Sequence, residues 1–324
     1  MIDDALLETL HEGGWCSGAQ IARKLGVSRA AVWKKIEVLR AHGYGVEAVA
    51  GRGYRLLGAP DRLLSTEIRR HSMARRLGAD IVYREEVDST NRLAADLARG
   101  GATEGTVVVA ESQTAGRGRL GRSWSSPSHV NVYLSVILRP PVPPSGITPL
   151  SLVAAIAVAE AVLATTGLRS GIKWPNDVLL GQRKVAGILT EMDAEAERVR
   201  SLVLGIGVNL NATSRDFPPE LRRKASSLRI AARRRIDRAA FTGALLTQLE
   251  LYYDRFLEGG FLSVRETYEG YHCLPGRRVR VEGGGPARGV VRGVAADGAL
   301  LIETPTGVER VSAGEVSLRG SYRS

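Results

Sequence analysis

Two strand-like runs, 178–180 and 185–191, are joined by Leu180-Gly-Gln-Arg183. That link is too short for the crossover a parallel pair needs, so the strands must return antiparallel. Between residues 64 and 271 further strand-like runs (81–87, 106–111, 131–138, 201–210) alternate with helical ones, clearest at 88–100, 148–166 and 238–257. Alternation alone would suit a doubly wound parallel sheet; the tight return excludes it and predicts an α+β domain on a mixed sheet. Residues 212–237, rich in Pro and Arg and without clean periodicity, read as a mobile loop region.

The pattern changes on both sides of that block. Residues 1–60 read as three short helices and a hairpin. Apolar residues at 2, 6, 7 and 10 have helical spacing, Ser17 caps a helix over 19–25 that Gly26 stops, and Ser28 caps another that runs to about His42. On this third helix Ala31, Val32, Ile36 and Leu39 form the inward stripe. Arg29, Lys34, Lys35 and Arg40 project outward with only Glu37 opposing them. A helix, a tight turn and a second helix with a cationic face is the helix-turn-helix design, whose later helix enters the major groove. Residues 44–57, with glycines at 51 and 53 around Arg52, would form a wing that reaches a phosphate or the minor groove. The DNA-facing candidates are Ser28, Arg29, Lys34, Lys35 and Arg52. A helical interaction module with a solvated basic face is the alternative.

Residues 58–62 make a short linker. At the other end, 274–320 holds four or five short β runs (278–282, 287–294, 300–304, 308–312) between Gly, Pro and Asp turns, the pattern of a small barrel. The division is therefore 1–60, 64–271 and 274–320.

Composition narrows the setting. With 45 basic and 34 acidic residues the net charge is +11, which suits a polyanionic partner; only six of the basic residues are lysine, so part of the excess is a general arginine bias. Cys16 and Cys273 lie far apart with no ligand-like neighbours, which fits a reducing cytoplasm and excludes a disulfide scaffold. The acidic N-terminus lacks the basic and apolar regions of a signal peptide. The most apolar stretch, 149–168, is alanine-rich with Glu160 near its centre, and reads as a core helix with no membrane role.

Gly116-Arg-Gly-Arg-Leu-Gly-Arg122 satisfies G-x-G-x-x-G and nearly spells a P-loop. Both of those motifs need a helix directly after the glycines. Here Ser123-Trp-Ser-Ser-Pro-Ser intervenes, the next element alternates like a strand, and the P-loop lysine is missing. What remains is a glycine loop with three arginines, able to bring N–H groups and guanidinium forks to an anion, or else a solvated surface loop. Ser89-Thr90-Asn91 opens a helix, where a serine is ordinarily a cap. Lys173-Trp-Pro-Asn-Asp177 contains a turn, and Lys184 follows on the next strand.

Taken in order, Ser89-Thr90-Asn91, Gln113, 116–122, Trp124, 173–177, Arg183-Lys184-Val-Ala-Gly-Ile and Gly205-Ile-Gly-Val-Asn209 resemble the biotin-protein ligases, and the N-terminal winged helix resembles that of the biotin operon repressor. The C-terminal segment, with 314–319, has its counterpart there as a small SH3-like β-barrel. The resemblance implies that biotin and ATP, with Mg²⁺, form biotinyl-5′-AMP, and that biotin then passes to a lysine of a biotin carboxyl carrier protein. It implies Lys184 and Arg119 as catalytic. Biotin would lie against Ser89, Thr90, Asn91, Gln113, Arg117, Gly118, Arg119 and Lys184, and the adenylate against Gly116, Arg119, Arg122, Trp124, Lys173, Asn176 and Asn209, with Asp177 toward the metal. It further implies operator DNA as a partner, a homodimer when adenylate-bound, and repression of biotin synthesis genes. Leu120 stands where some relatives place an arginine. A lipoate or octanoyl ligase, a sensor whose ligase activity has decayed, and a ligase without a DNA role are the alternatives; the 116–122 and 173–177 segments favour biotin.

Overall fold

The computed structural model describes residues 4–195, 198–283 and 287–318, and the chain divides into two compact units, 1–62 and 63–324. The first holds α1 (Asp4–His11), α2 (Gly18–Leu25), α3 (Arg29–Ala41) and a hairpin of β1 (Gly45–Val49) with β2 (Gly53–Gly58). Residue 2 of the expected first helix lies outside the described residues. Ser17 and Gln20 form a capping box on α2, Gly26 ends it in the left-handed region at φ 65°, and the Ser28 hydroxyl accepts from the Ala31 N–H at 3.2 Å. Val32, Ile36 and Leu39 are fully buried, so the inward stripe of α3 holds apart from half-buried Ala31.

The second unit is built on a seven-stranded sheet. Its elements are α4 (Ser65–Arg70), β3 (Ile81–Val87), α5 (Thr90–Arg99), β4 (Val107–Gln113), β5 (Val132–Leu138), α6 (Leu150–Thr166), β6 (Gly171–Lys173), β7 (Asp177–Leu180), β8 (Arg183–Ala194), β9 (Val199–Val208), α7 (Leu228–Ala232), α8 (Arg238–Gly259) and α9 (Arg265–Tyr271). The strand order is β3-β4-β5-β9-β8-β7-β6. Only β3 and β4 run parallel, joined by α5 as crossover, and β7 returns to β8 antiparallel as the short turn demands. The segment Pro144–Thr166, which ends in α6, is long and apolar enough to cross a membrane, yet α6 is largely buried in the core with α8 and the sheet. α5 covers the opposite face through Ala94 and Ala98 against Val108, Ile137 and Val203.

Five further strands, β10 (Arg278–Glu282), β11 (Ala287–Val294), β12 (Leu300–Thr304), β13 (Gly307–Val311) and β14 (Glu315–Leu318), form an antiparallel sheet ordered β13-β12-β11-β10-β14. Arg319, part of the C-terminal match, lies outside the described residues. This sheet shares one core with the central one. Buried Trp174 donates to the Gly298 carbonyl at 3.1 Å, so the aromatic of the 173–177 segment docks the two sheets together.

The stretch 212–237, expected as a mobile loop, is ordered. Lys184 N–H donates to Lys224 O at 2.8 Å and Ser226 N–H to Lys184 O at 2.9 Å, which extends the start of β8. Buried Asn211, just ahead of it, donates to Ile236 O and accepts from Ile236 N–H, at 2.8 and 2.9 Å. Irregular backbone is held here by short polar side chains, which periodicity does not register.

Candidate active site

The step from β3 into α5 sets one wall of a cleft. Ser89 stands at the N-cap of α5 in extended backbone, but its hydroxyl makes no capping bond. Instead the Asp88 carboxylate accepts from the Ser89 N–H and from Arg92, each at 2.6 Å, and the Arg92 bond holds its carboxyl below the ordinary range. Ser89 lines the cleft, as expected of a ligand-facing residue and not of an ordinary cap.

Thr90 and Asn91 are fixed from behind. Thr90 N–H donates to Gln113 Oε1 at 2.9 Å, and Gln113 Nε2 donates to Ser126 Oγ at 2.9 Å. Ser135 Oγ, buried on β5, lies 2.6 Å from Asn91 Oδ1 and 2.9 Å from Thr90 Oγ1. Asn91 Nδ2 donates to Glu191 at 2.7 Å, and Glu191 pairs with Arg117 at 2.9 Å. This wall is thus a set of amides and hydroxyls in fixed orientation, suited to a neutral polar ring. Ser135 and Glu191 were missed from the sequence, although a serine inside the apolar run 132–138 was a visible irregularity.

Glycines on facing strands give the cleft its depth. A Cβ on Gly205 would stand 2.1 Å from Asn91 Oδ1, and one on Gly207 2.6 Å from the Trp124 ring. Gly187, directly across from Gly207, would put a Cβ 2.9 Å from the same ring and 3.0 Å from Lys184 Nζ. No larger residue fits at these places without displacing the side chains that form the site.

Residues 116–124 fold as a hairpin over this floor. Gly118 N–H donates to Arg122 O at 2.7 Å and Trp124 N–H to Gly116 O at 2.8 Å. The three arginines leave it in different directions. Arg117 goes to Glu191; Arg119 Nη1 lies 3.3 Å from both Asn176 Oδ1 and Gly314 O; Arg122 forms a two-pronged pair with Glu315, each arm 2.6 Å. Burial draws Arg119 below its ordinary pKa, opposed by Asp177 and Glu315. Lys184 Nζ lies 2.5 Å from Asp177 Oδ1 and 5.3 Å from the Trp124 ring centre.

The cleft is lined by Ser89, Thr90, Asn91, Gln113, Arg117 and Gly118, by Arg119, Trp124, Asn176 and Lys184, and by the apolar Leu134, Ile188, Leu189 and Ile206. Five expected residues do not line it: Gly116, Arg122, Lys173, Asp177 and Asn209. Gly116 is where a Cβ would strike Trp124 O at 2.5 Å, so it closes the hairpin, and Arg122 ties that hairpin to β14. Lys173 sits across from Asp177 on β6, and buried Asn209 bonds through its backbone to Val185 and Leu228. The sheet residues Gly314 and Glu315 had no expected part at the site. Asp177 is the one acid beside Lys184; among the described residues no group of three or more His, Cys, Asp or Glu could hold a metal.

In the first unit Arg29 and Lys34 are exposed on α3 and Lys35 is half-buried. Arg52 lies 4.6 Å, and Arg55 4.9 Å, from the Trp15 ring, so the wing cations are stacked. Arg40 is exposed as expected and paired with the opposing Glu37 at 2.8 Å, and it also donates to Val46 O at 2.8 Å, which ties α3 to β1.

Residues 83–209 match the biotin/lipoate A/B protein ligase family, 4–55 an HTH domain and 276–319 the biotin protein ligase C terminal domain. The chain is 41% identical over 316 residues to the bifunctional ligase/repressor BirA of Bacillus subtilis, covering 97% of each. It is 34% identical to the biotin–[acetyl-CoA-carboxylase] ligase of Mycobacterium tuberculosis, over 71% of this chain and 86% of that one. A structure of the biotin protein ligase of Aquifex aeolicus with biotin and ATP aligns at a TM-score of 0.66 and 32% identity, over 74% of this chain and 99% of that one.

Proposed function

The chain belongs to the biotin protein ligases, in their bifunctional ligase/repressor form, and on that premise we propose how its residues divide the work. It is an ATP-dependent biotin-protein ligase. A biotin carboxylate oxygen bonds to the α-phosphorus of ATP as the bond to pyrophosphate breaks; the amine of a carrier lysine then bonds to the acyl carbon as AMP leaves. The first step brings two anions together, so the site must supply cations and alignment.

Lys184 and Arg119 are the catalytic cations. An ammonium has three N–H groups, and with one directed to Asp177 two remain for carboxylate and phosphate oxygens. Arg119, partly desolvated, acts more strongly on charge than it would in water. Ser89, Thr90, Asn91 and Gln113, with the backbone of Arg117 and Gly118, hold the ureido ring. Trp124 walls the adenylate and Asn176 positions Arg119. Gly116, Arg122, Lys173 and Asn209 support that end through the hairpin and the strands. One carboxylate beside phosphate oxygens is the donor set Mg²⁺ ordinarily uses, and Asp177 would hold it; when bound, the ion supplies charge neutralisation at the departing pyrophosphate. Residues 64–271 carry this chemistry, 274–320 contributes Gly314 and Glu315, and 1–60 carries DNA recognition.

The carrier is the biotin carboxyl carrier domain of a carboxylase. The adenylate-loaded protein pairs into a homodimer on an operator with two half-sites and represses biotin synthesis genes. The observation that carries the ligase reading is the convergence of Ser89-Thr90-Asn91, Gln113, Arg119 and Lys184 on one cleft. Incubation with biotin, MgATP and a biotin carrier domain should add one biotinyl mass to the carrier. A carrier left unmodified by biotin but acylated in a parallel lipoate reaction would overturn it in favour of the lipoyl alternative.

A further inference from the structure

Among the described residues Trp33 is the one aromatic side chain in the exposed class, with 55% of its surface open. It sits on α3, one residue past the fully buried Val32, so its indole leaves the helix on the outer side. Arg29, one turn earlier, and Lys34 beside it are both exposed, and exposed Ala30, three residues back on the same face, leaves the indole unobstructed. The Ser28 hydroxyl accepts from the Ala31 N–H, and Arg40 is held by Glu37 and Val46 O. The large exposed side chains of the first two turns are thus Arg29, Trp33 and Lys34, an indole between two cations.

We infer that Trp33 is a base-reading residue, in apolar contact with thymine methyl groups in the major groove while Arg29 and Lys34 engage the phosphates at its rims. This rests on the reading of the first unit as DNA-binding. The duplex is the occupant that meets both halves of the observation. Its groove edges are anionic and its floor carries an apolar group, the C5-methyl of thymine, that marks sequence. The first turns of the later helix are also the part that reaches base edges in this architecture.

The test uses the full chain with biotin and MgATP. Duplexes selected from a random pool by the wild-type protein are titrated with each thymine replaced in turn by deoxyuracil, which keeps base pairing and removes the methyl. At one or two thymines per half-site the wild type should lose about 3- to 10-fold in affinity. W33A should bind the selected duplex about 10- to 100-fold more weakly, be indifferent to deoxyuracil at those places, and keep its affinity for random duplex. W33F should retain part of the methyl sensitivity. Because the indole is exposed, W33A should melt with the wild type. Unchanged affinity and selected sequence in W33A would overturn the assignment to Trp33 while leaving DNA binding intact. A wild type that selects no duplex would overturn the DNA reading itself. A W33A variant altered only in the oligomeric state of the DNA-free protein would overturn the inference in favour of a second copy of the chain.

Discussion

Residues 116–124 and 212–237 read alike in sequence: both are arginine-rich, broken by Gly or Pro, and without apolar periodicity. They are held in opposite ways. The first is fixed from outside, by guanidinium groups that reach Glu191, Asn176, Gly314 and Glu315 on four other elements or loops. The second is fixed from within and below, by Ser227 on Ala212 O at 2.6 Å, by Asn211 on Ile236, and by the backbone of Lys184. Two of its arginines reach carbonyl oxygens, Arg222 that of Phe217 and Arg234 that of Thr165. Arginine density therefore does not mark a site; a glycine backbone facing acids on neighbouring strands does. Lys184 is where the two stretches meet, its backbone paired with the second and its ammonium in the cleft under the first.

The sharpest way to break this contrast is at Arg238, where the second stretch ends and α8 begins. Its guanidinium and the Glu111 carboxylate are both fully buried and 2.6 Å apart, whereas the arginines of the hairpin keep a substantial part of their surface in water. Removing Arg238 strips the fully buried Glu111 carboxylate of its guanidinium and leaves it the Leu63 N–H and the His129 ring at 3.3 Å, so Arg238→Met should destabilise the protein by roughly 3–5 kcal/mol in urea unfolding. Adding Glu111→Gln should recover a large part of that, since a glutamine oxygen can still accept the Leu63 N–H now bonded at 2.8 Å. A single variant as stable as the wild type would show that the second stretch is not anchored there. Next in size is Lys184→Gln. Its backbone pairing is kept, so stability should hold, while adenylate formation measured by pyrophosphate release should fall by roughly 10²–10³-fold, as for loss of one group aimed at developing charge. A fall in melting temperature in step with activity would instead give Lys184 a structural role.

Asn211→Ala tests the second stretch by itself. It removes two hydrogen bonds from a fully buried place, with an expected loss of about 1–3 kcal/mol. Adenylation per folded molecule should stay near the wild type. An equal loss of activity in fully folded protein would mean that 212–237 acts on the substrate directly.

The strands of the central and C-terminal sheets were legible because apolar alternation and turn residues agree there, and 81–87, 278–282, 287–294 and 300–304 coincide with the observed elements. β6, of three residues, was too short to show a period, and α7 and α9 likewise. In the cleft, Ser89 to Asn91, Gln113, Arg119 and Lys184 were expected through the family resemblance, which short contiguous motifs carry. Ser135, Glu191 and the Gly314–Glu315 corner were not, because each is brought in by pairing between distant strands, and no local pattern encodes which residue will face which. Trp174 shows the converse: a buried residue inside a recognised motif docks two sheets.

The smallest effect on stability belongs to the pair that most resembles a clamp. Arg122 and Glu315 meet with two-pronged geometry, but the Arg122 side chain is 67% exposed and that of Glu315 36%, so their attraction is offset by hydration and side-chain entropy. A double-mutant cycle on Arg122→Ala and Glu315→Gln should give a coupling of about 0–1 kcal/mol in unfolding. If the pair nevertheless holds the hairpin against β14, both single variants and the double variant should raise the KM for ATP by a similar few-fold, with kcat little changed. That equality separates the two roles open to Arg122. A guanidinium that bound phosphate itself would make Arg122→Ala far more damaging than Glu315→Gln, because the acid variant would leave the cation free to act. Equal effects mean that the outermost arginine of the loop works on the hairpin's position and that Arg119, one turn deeper, is the one that faces the anion.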